Sequence, residues 1–109
     1  MLLFKPEHVP MILEGSKTQT RRLWPHGCRV KVGNIYQART KMLDPKSTFA
    51  LLRVKRVWQE PLEGISFDDA WAEGYASKTI YLDTFHAINK TKFGFNPTIW
   101  AVEFEVERA

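Results

Sequence analysis

Apolar and polar positions alternate most cleanly at the end of the chain. Trp100, Val102, Phe104 and Val106 take turns with Ala101, Glu103, Glu105 and Glu107. That period of two predicts a strand with one buried face and one acidic, solvated face. Phe49 to Trp58 is the longest strand expectation, with Leu52 and Val54 facing one way and Arg53 and Lys55 the other. Leu2 to Phe4 and Thr18 to Leu23 read as short extended segments. Val30 to Thr40 reads as two strand pieces around Gly33-Asn34, with Ile35 and Tyr36 as core candidates.

Helical periodicity occurs in three places. Val9, Ile12 and Leu13 share a face before Gly15 ends the segment, and Pro10 keeps that helix short. Ser66 is placed to cap a second helix, with Asp69 three residues on and Ile65 and Ala70 as the flanking apolar pair. Phe67, Ala70 and Trp71 are its expected buried face, and Gly74 its end. A third helix is expected over Thr79 to Asn89, burying Ile80, Leu82, Phe85 and Ile88. Asp44-Pro45 and Asn96-Pro97 are turn signals. Strands with helices inserted between them predict an α+β domain, and so short a chain closes its sheet most economically into a small β-barrel with two to three short helices.

The 109 residues suit one domain with one core, and 44% hydrophobic content with 13% aromatic residues indicates a globular fold. No apolar run approaches the roughly 20 residues that span a bilayer. The polar start Lys5-Pro6-Glu7-His8 is unlike a signal peptide, so a cytoplasmic protein without membrane association is expected. A single cysteine, Cys28, excludes an internal disulfide and a cysteine-based zinc site. His8, His26 and His86 lack metal-pair spacing. Neither metal nor cofactor is expected, and a monomer is. Residues 1 to 60 carry 12 of the 16 basic and 4 of the 12 acidic residues, a balance of +8, against −4 for the remainder. Such a basic half, with Arg21, Arg22, Arg53, Lys55 and Arg56, suits an anionic partner such as RNA.

The densest chemistry lies in Gly15-Ser16-Lys17-Thr18-Gln19-Thr20-Arg21-Arg22. A desolvated lysine amine can take the proton of a nearby hydroxyl, which is one route to a hydroxyl nucleophile. The two arginines add forked donors suited to phosphate or carboxylate. Lys17 and Thr20 are three apart, which on a flat strand puts them on opposite faces. They share a site only if Lys17 lies in the turn after Gly15 or a bulge intervenes, and the turn is expected. To act as a base Lys17 must be neutral, which burial and the neighbouring arginines favour and an acid opposes. Glu73 falls at the predicted end of a helix, where the macrodipole disfavours negative charge unless a cation such as Lys17 offsets it. Of the aromatic residues, Trp24 and Tyr75 flank these motifs and are the candidates for walls on which a base stacks.

The pattern G-x-K-x-x-T-x-R over residues 15 to 22 resembles the signature of ASCH domains, a branch of the PUA-like barrels linked to RNA. The similarity covers nearly the full length. It takes in Phe4-Lys5-Pro6-Glu7-His8, Val32-Gly33-Asn34-Ile35-Tyr36, the Ser66 helix leading to Glu73-Gly74, and the closing strand from Trp100 to Phe104. Some small bacterial ASCH proteins are amidohydrolases that remove the acetyl group from N4-acetylcytidine with a lysine, a threonine and a glutamate. The resemblance puts those roles on Lys17, Thr20 and Glu73. It implies that RNA or a modified nucleoside is the partner, bound by Arg21, Arg22, Trp24 and Tyr75. The chain departs from that branch in having Arg21 where an apolar residue precedes the arginine, and around residues 40 to 48 and 76 to 96. A non-catalytic RNA-binding module and a ribonuclease are the alternatives that the same resemblance implies.

Overall fold

The computed structural model describes residues 1–108. Five strands form one sheet in the order β1-β3-β4-β5-β2, curled into a half-barrel. β1 (Leu2–Leu3) runs parallel to β3 (Ile35–Arg39); β3 with β4 (Thr48–Pro61), β4 with β5 (Thr98–Val106) and β5 with β2 (Gln19–Arg22) are antiparallel. Three helices, α1 (Val9–Glu14), α2 (Phe67–Ala72) and α3 (Lys78–Asn89), complete the α+β architecture. None of the described helices is long and apolar enough to cross a membrane.

β4 organises the sheet. Leu52 pairs with Val106 and Val54 with Phe104. The register then shifts at Lys55, so that Arg56 opposes Glu103 and Trp58 opposes Ala101. One inserted residue reverses which face the following side chains occupy. Leu52 and Val54 therefore share a core with Leu2, Phe4, Ile12, Val102 and Phe104, whereas Trp58 packs on the other side of the sheet. That second core holds Leu62, Ile65, Ala70, Tyr81, Leu82, Phe85, Ile99 and Ala101. The one-sided strand expected at the end of the chain is thus corrected. In β5, Ile99 and Ala101 are buried in the second core with residues of α2 and α3, and of the face expected to be solvated Glu103 and Glu105 border water.

Local chemistry explains the helix ends. Gly15 closes α1 with φ 88°, a left-handed conformation open to glycine at no steric cost. The Ser66 and Ser77 hydroxyls cap α2 and α3 by accepting from the N–H groups of Asp69 and Ile80. The expected faces are only partly right. Ala70, Leu82 and Phe85 are buried, but Leu13, Ile35, Phe67, Trp71, Ile80 and Ile88 are exposed. Phe67 and Trp71 meet each other edge-on in solvent, with ring centroids 6.4 Å apart. Tyr81 and His86 take the inner face of α3 instead. Residues 30 to 34 form a turn and no strand, although Val30 is buried in the first core.

Candidate functional site

The site is built along the free edge of β2, where the two cores meet. Lys17 lies in the turn between α1 and β2, as its spacing from Thr20 requires. Its backbone N–H donates to Met11 O, and the next N–H, of Thr18, donates to Ala72 O at the end of α2. This splices the signature segment to the α2 terminus. Glu73 caps that terminus, and the following Gly74 has φ 98° with Met11 and the Lys17 stem close by. A Cβ at Gly74 would sit 3.1 Å from Met11 Cε, so glycine is what lets the chain turn past the lysine.

Lys17 and Glu73 are 2% and 4% exposed. The Lys17 ammonium donates to Glu73 Oε1 at 3.2 Å, to the Glu73 carbonyl at 2.5 Å and to the Gln19 carbonyl at 3.0 Å. It therefore neutralises a carboxylate and the C-terminal pole of α2 together. Burial pushes the Lys17 amine below its ordinary range, while the charge and hydrogen bond of Glu73 pull it back up. The other Glu73 oxygen accepts from Arg21 at 3.0 Å. Arg21, its side chain wholly enclosed, also donates to Gln19 Oε1, Glu60 and Asp69. Glu60 reaches this face because of the register shift in β4.

Thr20 is 4% exposed, and its hydroxyl oxygen accepts from Arg22 Nε at 3.0 Å. The same guanidinium donates to Leu3 O at 2.6 Å and lies 5.1 Å from the centre of the Phe4 ring. Arg22 thereby ties β2 to β1 across the seam of the half-barrel. Lys17, Thr20 and Glu73 line one cleft of about 570 Å³. Lys17 and Thr20 are not hydrogen-bonded to each other, since each has other partners.

The remaining expected site residues, Arg21, Arg22, Trp24 and Tyr75, line the same cleft. Trp24 is packed on the first core and Tyr75 on the second, so the two aromatic rings come from opposite sides of the sheet. The Lys17 ammonium is 5.9 Å from the Tyr75 ring centre, and burial raises the Tyr75 phenol to about 12. The cleft also contains residues not expected at the site, among them His8, Arg29, Tyr81 and Phe85. His8 meets Tyr75 edge-on at 5.5 Å. Burial and the charges of Lys17, Lys5 and Arg22 lower its imidazole to about 4, so it is neutral at physiological pH. Its place in Phe4-Lys5-Pro6-Glu7-His8 was a usable signal; nothing in the pattern marked Tyr81 as more than core.

The basic half of the chain is interleaved with acids in the fold. Arg53, Lys55 and Arg56 on β4 pair with Glu107, Glu105 and Glu103, and Arg21 is held by Glu60, Asp69 and Glu73. Lys5 and Arg29 are exposed cations at the cleft that pair with no carboxylate among the described residues.

No protein-family model and no curated protein matches the chain. Solved structures do. The protein EF3133 from Enterococcus faecalis V583 superposes with a TM-score of 0.72 at 19% identity, over 93% of this chain and 67% of its own. An ASCH domain from Lactobacillus crispatus JV V101 gives 0.71 at 16%, covering 90% of this chain and 69% of that one. ASCH from Zymomonas mobilis gives 0.64 at 16%, with 98% and 68% covered. The chain has the ASCH-domain fold and spans about two thirds of the length of these structures.

Proposed function

We propose that the cleft is an amidohydrolase site for N4-acylated cytidine or a closely related acylated nucleoside, with Thr20 as nucleophile, Lys17 as its activator and Glu73 as acid and base. The observation that carries this reading is the buried Lys17–Glu73 pair on the same cleft as a buried threonine hydroxyl. In a water-poor site an ammonium and a carboxylate in contact can exchange a proton, giving an amine and a carboxylic acid. The amine takes the Thr20 proton as Oγ1 adds to the acyl carbon. The acid protonates the N4 amine as it leaves, and cytidine departs. Water then cleaves the acyl–Thr20 ester and returns the hydroxyl, releasing the carboxylic acid. Arg22 Nε, already donating to Thr20 Oγ1, stabilises negative charge growing on that oxygen. Arg21 holds Glu73 from behind and acts as a positioning residue. The Thr20–Lys17 contact forms with substrate in place, as catalytic hydrogen bonds often tighten only in the complex. Trp24 and Tyr75 are the proposed walls for the base.

The test is incubation with N4-acetylcytidine, following release of cytidine and acetate. Lys17→Ala and Glu73→Ala are expected to lose several orders of magnitude in kcat/KM, because each eliminates a proton transfer. Circular dichroism of both variants is the control for the fold. Turnover unaffected by either substitution refutes the assignment.

A second reading, binding of RNA without turnover, draws support from Lys5 and Arg29, which line the cleft, are exposed and have no carboxylate partner among the described residues. It predicts affinity for a short single-stranded RNA that weakens steeply with salt, since phosphate contacts release counterions. A ribonuclease is separated from both by cleavage of labelled RNA.

A further inference from the structure

Lys5, Lys17, Arg21, Arg22 and Arg29 line the cleft, and the one carboxylate among its lining residues is Glu73. Lys17 and Arg21 are neutralised by Glu73, Glu60 and Asp69. Arg22 pairs with no carboxylate among the described residues, and its guanidinium is committed to Thr20 and Leu3. Lys5 and Arg29 are exposed, and among the described residues neither side chain has an ion-pair partner. His8 registers the surplus: after burial, what holds its imidazole neutral is the positive charge of Lys17, Lys5 and Arg22. A cleft with more positive charge than its own acids balance suits an anionic ligand.

The two free cations stand away from the reacting end. Arg22 reaches from the Thr20 hydroxyl to the Leu3 carbonyl. Lys5 follows Leu3 by two residues in extended backbone, roughly 7 Å further at strand spacing. Phe4, before Lys5, and Val30, after Arg29, belong to the same core. Both cations therefore rise from the first-core wall, whereas Lys17 and Glu73 meet at the end of α2. In an N4-acylated cytidine the acyl group and the 5′ carbon of the ribose are at opposite ends of the molecule. With the acyl carbon at Thr20, the 5′ end is the one that can extend to this wall.

We propose that Lys5 and Arg29 bind a 5′-phosphate, so that the substrate is the 5′-monophosphate of an acylated cytidine and not the free nucleoside. This rests on the reading of the cleft as an acylated-nucleoside site. Two unpaired cations match the charge of one terminal phosphate. An RNA strand is better served by a longer basic track, and the basic run of β4, Arg53, Lys55 and Arg56, is taken up by glutamates.

Calorimetric titration with cytidine and with cytidine 5′-monophosphate tests the phosphate site without turnover. Wild type is expected to bind the monophosphate at least tenfold tighter, the value of charge-assisted hydrogen bonds. The double variant Lys5→Ala, Arg29→Ala should bind the two ligands alike, with its cytidine affinity unchanged; urea denaturation is the control for its fold. Equal wild-type affinities, binding of neither ligand, or a preference that survives the double substitution overturns the proposal. So does a short RNA with an internal cytidine that binds tighter than the monophosphate, which would make the cleft a strand site. Kinetics separates this proposal from the amidohydrolase reading. A kcat/KM at least tenfold higher for N4-acetylcytidine 5′-monophosphate than for N4-acetylcytidine supports both. Equal values overturn the phosphate site alone. Wild type inert towards both substrates refutes the amidohydrolase reading, and the calorimetry still decides the phosphate site.

Discussion

Replacing His8 with phenylalanine should flatten the acid limb of the stability curve. The imidazole is buried against Tyr75 and faces the cations of Lys17, Lys5 and Arg22, which together lower it from 6.5 to about 4. Between those two values the unfolded chain binds a proton that the folded chain refuses, so stability is full above 6.5 and falls as pH drops. At about 1.4 kcal/mol per pH unit, the loss attributable to His8 is about 2 kcal/mol by pH 5 and about 3 kcal/mol by pH 4. That is a large part of the roughly 5–15 kcal/mol that holds a small domain folded. His8→Phe keeps the edge contact with Tyr75 and removes the titration. Urea denaturation of both proteins at pH 7, 6, 5 and 4 isolates the term, because the surface pairs such as Arg53–Glu107 are common to both. The difference between wild type and variant should change by about 3 kcal/mol across that range. Parallel curves would refute the burial and electrostatic argument for His8.

Arg21→Lys should destabilise by roughly 1.5–3 kcal/mol in urea denaturation, because one ammonium cannot bridge Glu60, Asp69, Glu73 and Gln19 and loses several charged hydrogen bonds of partly buried carboxylates. Arg22→Met keeps the stem but loses the bonds to Leu3 and Thr20. It should cost about 1–3 kcal/mol and speed amide exchange at Phe4, whose N–H pairs with Arg39 O, while the β4–β5 ladder stays protected.

The sequence carried the elements better than their faces. Gly15, Ser66 and Gly74 mark helix ends whose chemistry is local, and each is found where expected. Burial is not local. Ile80 and Ile88 are as apolar as Leu82, and only the direction from which the sheet meets α3 decides that Tyr81 and His86 turn inward. The inserted residue at Lys55 is likewise invisible in a run of apolar and basic residues, yet it puts Trp58 and Glu60 on the face that holds Arg21. Lys17 and Glu73 are 56 residues apart and meet in the fold. Lys17 stands out by the chemistry of its own segment and helix electrostatics call for a cation near Glu73, but the resemblance to ASCH domains is what joins the two in one site. Antiparallel pairing of β4 with β5 sets the basic half against the acidic half, so that Arg53, Lys55 and Arg56 are engaged with glutamates.

The central claim, that the cleft deacylates a nucleoside through Thr20, is tested most directly by kcat/KM on N4-acetylcytidine for wild type, Thr20→Ser and Thr20→Ala. The serine variant retains a hydroxyl beside Arg22, so part of the activity should survive. The alanine variant has no nucleophile and should release no cytidine above background. Wild type without turnover, or an alanine variant as fast as wild type, would contradict the account.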